Sequence, residues 1–155
     1  MTSLLDKLTD TEILGFTIIG EARGEPIEGQ VAVGSVIRNR VLSSSINIPV
    51  SYKSICLKPK QFSCWNLNDK NRNYLLDLIN KYKREASYFS DPYLRQCMFV
   101  AEGISEWDIV SNIGPFVNYM TNDLWTSPKR PSYARGIKDF KVIGNHTFFT
   151  AKKAK

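Results

Sequence analysis

An acidic turn between two apolar runs constrains the fold of this chain more than any other feature of its sequence. Three carboxylates, Glu21, Glu25 and Glu28, fall within residues 20–30, where glycine and proline interrupt the apolar pattern. Carboxylates usually lie on solvated surfaces, so a cluster where two buried helices meet favours a carboxyl group that is partly removed from water. Burial raises the pKa of a carboxyl group, and a carboxyl that keeps its proton near neutral pH can act as a general acid. The turn therefore indicates an enzyme.

The first apolar run is predicted to be a helix over about residues 10–22. Residues 9–12 have the order Thr-Asp-Thr-Glu, which is typical of a capping box at a helix start. Gly24 and Pro26 are expected to end this helix, because glycine tolerates positive φ and proline has no amide hydrogen to donate.

A second helix is predicted over about residues 28–42, from apolar residues that recur at helical spacing. Gly29 and Gly34 have no side chain, so we expect another element to pack closely against this helix. Residues 43–73 are polar and broken by prolines. This is long for a connection without structure of its own, which favours a lid or the wall of a groove.

The rest of the chain contains two further helical patterns and then a change of pattern. Helices are predicted over about 71–87 and 91–104, and short strands over 116–120 and 142–149, the latter with a Gly-Asn turn or bulge. The sequence therefore predicts an α+β, mainly α fold with a small β element near the C-terminus.

Length and charge limit the class of protein. The 155 residues fit a single domain over residues 1–155, and neither a signal peptide nor a membrane span is predicted. The net charge of +6 and the basic tail at 151–155 favour association with polyanions, but there is no stacking motif for nucleic acid. We interpret most of the charge as a solvated surface and expect no nucleic-acid partner and no insertion into a membrane.

Cysteine and histidine are too sparse for most metal sites. Cys56, Cys64 and Cys97 form no C-x-x-C pair, and His146 is the one histidine of the chain. Structural zinc takes four N or S ligands at short spacings, so we expect no metal and no cofactor. A cysteine paired with His146 as a nucleophile stays open, although free cysteines are more often small core residues.

Several segments together resemble the cell-wall hydrolases of the spore-cortex-lytic (SleB/CwlJ) type, which also occur among phage lysis proteins. The similar segments are 22–26 and 28–33, then 36–41, 61–65, 116–119 and 143–148, in the order of that family. The family-like region covers about residues 10–150.

The resemblance implies a compact lysozyme-like domain that acts on the glycan strands of peptidoglycan. In that family one glutamate, which here is Glu21, cleaves the β-1,4 bond between N-acetylmuramic acid and N-acetylglucosamine. The expected outcome is lytic transglycosylation, which leaves a 1,6-anhydromuramic end. A monomeric phage endolysin, made in the cytoplasm and released to the cell wall through a pore made by another protein, fits a short basic chain of this kind.

One carboxyl group is enough for a transglycosylase. The 2-acetamido oxygen of the substrate can stabilise the reacting carbon and its C6 hydroxyl can attack, while Glu21 protonates the departing oxygen. The alternative for Glu21 is a structural ion pair with Arg23 or Arg40. Glu25 is expected to brace the turn or pair with Arg23, and it is the preferred second carboxylate if the enzyme hydrolyses its substrate.

Further residue types suit a sugar-binding groove, because sugar rings present apolar faces and hydroxyl edges. The candidates for substrate binding or support of the site are Gln30, Phe62, Ser63, Asn118, Tyr119 and His146, with Trp65 beside them. For Phe62 and Trp65 the alternative is a place in the core, for Gln30 a role as a loop cap, and for His146 a structural hydrogen bond. Asn39 and Arg40 are predicted to brace the loop that contains Glu21.

Three further functions are compatible with the sequence. A hydrolytic muramidase is the nearest variant of the leading hypothesis. An N-acetylmuramoyl-L-alanine amidase would release peptide stems and leave the glycan strands intact. A catalytically silent wall-binding module would bind the wall and release neither stems nor glycan fragments.

Overall fold

The computed structural model describes residues 4–44, 50–85 and 91–151. The helices are α1 (Asp10–Ala22), α2 (Ile27–Ser43), α3 (Tyr52–Leu57), α4 (Lys70–Glu85), α5 (Pro92–Ser105) and α6 (Asn122–Trp125). The strands are β1 (Asn118–Thr121), β2 (Phe140–Ile143) and β3 (His146–Phe149). The predicted α+β, mainly α class is confirmed. Within the described ranges, none of the helices combines the length and the apolarity needed to cross a membrane.

Helix α1 is the central element of the helical part. It begins with the predicted capping box, in which Thr9 Oγ1 accepts from the amide of Glu12 and Glu12 accepts from the amide of Thr9. Every residue from Ile13 to Gly20 is buried, because α2, α3, α4 and α5 all pack against this helix. A helix that is apolar on all sides is stable only at such a position.

The turn after α1 has a different cause from the one predicted. Gly24 has no positive φ, and a Cβ added there would meet nothing within 4 Å, so this position does not require glycine. Instead, the Glu25 amide donates to the Ala22 carbonyl over 3.0 Å, and Pro26 is the N-cap of α2 in an extended conformation. Pro26 thus separates the two helices as predicted, whereas the explanation through Gly24 was wrong.

The close packing predicted around the glycines of α2 is confirmed at Gly34. A Cβ at Gly34 would lie 3.1 Å from Ile104 of α5 and 3.3 Å from Ile18 of α1. The glycine therefore lets three helices approach one another in the core.

The sheet has the order β1-β3-β2, and both pairs are antiparallel. The strand predicted over 142–149 with a Gly-Asn turn or bulge is the end of β2, a turn at residues 144–145 and β3, so the predicted turn is confirmed. Phe148 faces the helical core, whereas Phe149 faces a second cluster that contains Trp125. The alternation of side chains along the central strand thus buries β3 on both faces, and Tyr119, opposite Phe148, faces the helices.

Two polar residues of α2 hold the chain that leads into β1. Asn39 Nδ2 donates to the carbonyls of Gly114 and Phe116, each over 2.9 Å, and Arg40 Nε donates to the Val117 carbonyl over 2.7 Å. The prediction that Asn39 and Arg40 brace the Glu21 loop was therefore wrong, since they bind the entrance to β1.

The long connection before α4 is more ordered than its sequence predicts in the part that is described. It contains α3 and a short 3-10 turn at Ser63–Trp65, while residues 45–49 lie outside the described ranges. The turn packs against α1, where Trp65 Nε1 donates to Thr17 Oγ1 over 3.0 Å. This segment therefore forms one wall beside the end of α1.

Candidate active site

Glu21 lies partly buried in the last turn of α1, with both carboxylate oxygens engaged. Oε1 accepts from the Tyr119 hydroxyl over 2.6 Å. Oε2 accepts more weakly from the Cys64 amide at 3.4 Å and from the Ser63 hydroxyl at 3.5 Å. The sheet and the 3-10 turn thus hold the carboxyl group from two sides.

Neither nearby arginine forms an ion pair with Glu21 in the described ranges, although the charge of Glu21 partly opposes the lowering of the Arg40 pKa by burial. The Arg23 guanidinium stacks on the Tyr74 ring at 4.4 Å and donates to the Ile19 carbonyl. Arg40 donates to the backbone of the segment before β1. Both arginines are therefore engaged elsewhere, and the bonds to Glu21 come from neutral donors.

Tyr119 is suited to remain a hydrogen-bond donor. Burial raises the pKa of its phenol well above the ordinary value, and the neighbouring Glu21 carboxylate raises it further. The ring packs against Phe148 at 5.6 Å and edge-to-face against His146 at 5.2 Å. Because the phenol keeps its proton, it orients one oxygen of Glu21 and leaves the other oxygen to weaker bonds.

Two cavities border Glu21. They share Gly20, Glu21 and Asn71. The first, of about 340 Å³, is also lined by Ser63, Tyr119, Met120, Thr121, Leu124 and His146. The second, of about 350 Å³, is also lined by Ala22, Arg23, Gly24 and Tyr93. Among the described residues that line them, Glu21 is the one carboxylate, and it borders both cavities.

A larger cavity of about 740 Å³ lies on the other side of the 3-10 turn, beside Trp65 and Leu67. Its lining is mostly apolar, and the described residues in it include no carboxylate. Size alone therefore does not identify the site, and the carboxylate of Glu21 distinguishes the two smaller cavities from this one.

Glu25 does not face these cavities. Its side chain is buried, and Asn145 binds both of its oxygens, through the amide at 3.0 Å and the side-chain Nδ2 at 3.1 Å. His146 Nδ1 lies 2.8 Å from Oε1 but forms no hydrogen bond with it. Glu25 thus braces the turn as expected, but it does so from the β2–β3 hairpin, and the predicted pairing with Arg23 was wrong.

Gln30 supports the same turn from α2. Its Nε2 donates to the carbonyls of Ala22 and Glu25 at 3.4 and 3.3 Å, and its oxygen accepts from Gln96 at 2.9 Å. Only 1% of Gln30 is exposed. It is therefore a loop cap, and a direct contact with sugar was a wrong expectation.

Phe62 and Asn118 also lie away from the cavities. Phe62 is 2% exposed and packs in the core with the Arg40 guanidinium over its ring, so it cannot offer a face to a sugar. Asn118 Oδ1 accepts from the Ala151 amide over 2.7 Å. Since neighbouring residues of a strand point to opposite faces, Asn118 points away from the side where Tyr119 meets Glu21. Both are support residues of the fold.

Some residues of the cavities escaped the sequence analysis. Ser63, Tyr119 and His146 were expected there, whereas Asn71, Tyr93, Thr121 and Leu124 were not. Asn71 stands in a polar segment that offered no signal, and Tyr93 looked like an ordinary first-turn residue of a helix. Thr121 directly follows the predicted strand, so a correct strand end would have indicated it.

The cysteines do not fit a nucleophile. Cys56, Cys64 and Cys97 are all buried, and burial raises the pKa of the Cys56 and Cys97 thiols to about 12 and that of Cys64 further still. A nucleophilic cysteine needs the opposite shift. Within the part of the chain that the structure describes, no group of histidine, cysteine, aspartate or glutamate is arranged to hold a metal ion.

Known proteins resemble this chain over most of its length. The family described as Cell Wall Hydrolase matches residues 24–149. The spore cortex-lytic enzyme of Oceanobacillus iheyensis is 37% identical over 92 residues, which cover 54% of this chain and 33% of that protein. That of Bacillus subtilis is 36% identical over 92 residues, which cover 54% and 30%. The chain thus spans about a third of the length of these curated relatives. No solved structure matches significantly.

Glu21 lies just before the matched residues, so its role rests on the geometry around it. The hairpin, Tyr119 and His146 lie inside the match, as do both residues that hold the turn, Glu25 and Gln30. As its resemblance to the SleB/CwlJ type predicts, this chain belongs to the cell wall hydrolase family.

Proposed function

We propose that this chain degrades peptidoglycan as a glycosidase that cleaves the β-1,4 bond between N-acetylmuramic acid and N-acetylglucosamine. The proposed reaction is lytic transglycosylation with Glu21 as the acid. One observation carries the proposal: of the described residues that line the two cavities, Glu21 is the one carboxylate.

This observation favours transglycosylation because most glycosidases that use water need two carboxyl groups at the scissile bond. Glu25 was the expected second carboxylate, yet its oxygens are bound by Asn145 and it lies behind His146. A reaction in which the substrate supplies its own nucleophile needs one carboxyl group.

The proposed reaction has two steps. In the first, Glu21 donates its proton to the departing O4 and the C1–O4 bond breaks, while the 2-acetamido oxygen forms a bond to C1. In the second, the C6 oxygen bonds to C1, the acetamido oxygen leaves, and the C6 hydroxyl proton passes to Glu21. The enzyme returns to its starting state without water. Tyr119 holds the carboxyl group in one orientation through both steps.

The test is digestion of purified sacculi by the wild type and by Glu21→Gln, followed by mass analysis of the muropeptides. Anhydro ends are lighter than reducing ends by one water, so their mass identifies the reaction. General acid catalysis contributes about 100-fold to 10,000-fold, and we expect Glu21→Gln to lose at least about 100-fold in rate. Glu28→Gln, an exposed carboxylate in the first turn of α2, is the matched control and should keep the wild-type rate.

Each other outcome identifies a different function. Reducing ends would replace the transglycosylase by a muramidase, and free peptide stems with intact glycan would indicate an amidase. Binding to sacculi without loss of turbidity would indicate a silent wall-binding module. Clearing at the wild-type rate by Glu21→Gln would remove the proposed acid.

The biological setting is a separate part of the proposal. We propose a phage lysis enzyme that reaches the wall through a pore made by another membrane protein. Expression in a bacterial host with and without a pore-forming lysis protein tests this. Lysis that depends on the pore supports it, and lysis without the pore contradicts it.

A further inference from the structure

His146 lies on the same cavity as Glu21. It is the first residue of β3 and pairs across the sheet with Thr121, which also lines this cavity. Its ring stands edge-to-face against the ring of Tyr119, whose hydroxyl binds Glu21. A single tyrosine ring therefore separates the imidazole from the proposed acid.

The two ring nitrogens of His146 have different surroundings. Nδ1 is sealed from solvent and lies 2.8 Å from Glu25 Oε1. Nε2, in contrast, is not sealed from solvent, and no hydrogen bond joins it to another residue in the described ranges. Since the ring lines the cavity, Nε2 is the nitrogen that a ligand there can reach.

Glu25 places a buried carboxylate beside one of the two ring nitrogens. Its side chain is 6% exposed, and two donors from Asn145 fix the carboxylate. A negative charge beside Nδ1 favours the tautomer with hydrogen on Nδ1, which leaves a lone pair on Nε2. The cavity therefore contains a hydrogen-bond acceptor with a buried negative charge behind it.

The proposed reaction creates a positive charge that such an acceptor can stabilise. When the acetamido oxygen bonds to C1, the amide nitrogen becomes positively charged while it keeps its hydrogen. Preorganised groups aimed at a charge that develops in the transition state are a large source of catalysis. Arg23, in the neighbouring cavity, has the wrong sign for this task.

We propose that His146 is a second catalytic residue, which accepts a hydrogen bond from the substrate 2-acetamido N–H through Nε2, and that Glu25 positions and polarises it. This inference rests on the proposed function. No proton leaves the amide nitrogen. Glu21 still donates the proton to O4 in the first step and receives that of the C6 hydroxyl in the second, so the atoms balance as before.

The probe is a thiazoline analogue of the bicyclic intermediate, in which sulfur replaces the acetamido oxygen. Its ring nitrogen, when protonated, presents the same N–H and the same charge. Binding by calorimetry to the wild type, His146→Phe and His146→Gln is compared with kcat and KM on sacculi fragments. His146→Phe keeps a ring against Tyr119 and removes the acceptor, whereas His146→Gln keeps an acceptor oxygen.

A hydrogen bond to a charged group contributes about 1.5–3 kcal/mol, so His146→Phe should bind the analogue about tenfold more weakly or worse. Its kcat should fall by a similar factor with a smaller change in KM, because the bond strengthens as the charge develops. His146→Gln should fall between the wild type and His146→Phe. Glu25→Gln, which removes the negative charge beside the imidazole, should also weaken binding of the analogue.

Lys138→Gln, on the exposed segment before β2, is the control and should change neither value. All variants are compared at equal folded fraction by circular dichroism. The inference would be overturned if His146→Phe bound the analogue and turned over substrate within about twofold of the wild type. The proposed function would still stand in that case, provided that the products carry anhydro ends. Reducing ends from the wild type would overturn both.

Discussion

Tyr119 donates its hydroxyl to Glu21 Oε1 over 2.6 Å and so joins β1 to the last turn of α1. The two residues are 98 positions apart in the chain. Strand β1 is in turn held to α2 through Asn39 and Arg40. The orientation of the proposed acid therefore depends on how the sheet docks against the helices.

Replacing Tyr119 by phenylalanine tests this link. The ring still fills its place between Phe148 and His146, but the donor to Glu21 is lost. A hydrogen bond to a charged group is worth about 1.5–3 kcal/mol, so we expect kcat to fall by about tenfold to 100-fold. The measurement is the initial rate of turbidity loss with purified sacculi.

Tyr133→Phe is the control for the Tyr119 variant, because Tyr133 is exposed and away from the cavities. It should keep full activity. An unchanged rate in Tyr119→Phe would show that the phenol does not orient the acid.

Gly20 allows the 3-10 turn to approach the end of α1. A Cβ at Gly20 would lie 2.5 Å from Cys64 Cβ, so Gly20→Ala must displace the turn whose amide binds Glu21. Overpacking of this kind costs about 1–3 kcal/mol, and we expect lower stability and lower activity together. Thermal unfolding and the sacculus assay measure the two effects.

Gly24→Ala is the matched control, because nothing lies within 4 Å of its added Cβ and its φ is not positive. It should keep the thermal stability of the wild type. An equal loss in both variants would contradict the packing explanation.

The helical part of the fold was predictable because its signals are local. The capping box at Thr9, the apolar spacing of α1 and α2, and the Asp91 N-cap of α5 all act within a few residues of the chain. The reason for the turn after α1 was not predictable, because Glu25 is held by the distant Asn145.

The candidate site was predictable to a similar extent. Glu21, Ser63, Tyr119 and His146 belong to segments with a recognisable pattern, and they do meet. Phe62 and Gln30 could not be assigned from sequence, since an aromatic or an amide side chain has the same residue type whether it is buried or binds a sugar. Which of these residues faces water is decided by packing between segments that are far apart in the chain.

The thiols should be unreactive in the native protein. Burial raises the pKa of Cys56 and Cys97 to about 12, so these thiols keep their protons at every pH below that value. Iodoacetamide reacts with thiolates, and we expect no labelling and full activity at about pH 8. Mass spectrometry after unfolding in guanidinium should show labelling of all three cysteines. Inactivation by a single native-state label would instead restore the cysteine nucleophile.

Alanine variants at Gly144 and Gly114, compared with each other, measure what the contact between Glu25 and the hairpin contributes to stability. Both have positive φ, +57° and +58°, so alanine costs about 1–2 kcal/mol at either position. At Gly144 the new Cβ would also lie 2.9 Å from Glu25 Oε2, whereas at Gly114 it meets nothing within 4 Å. We therefore expect Gly144→Ala to lose at least about 1 kcal/mol more in the free energy of unfolding, and to lose activity as well. Urea titrations of the two variants measure the difference. Equal losses would show that the Glu25 side chain can move aside at no cost in the free energy of unfolding.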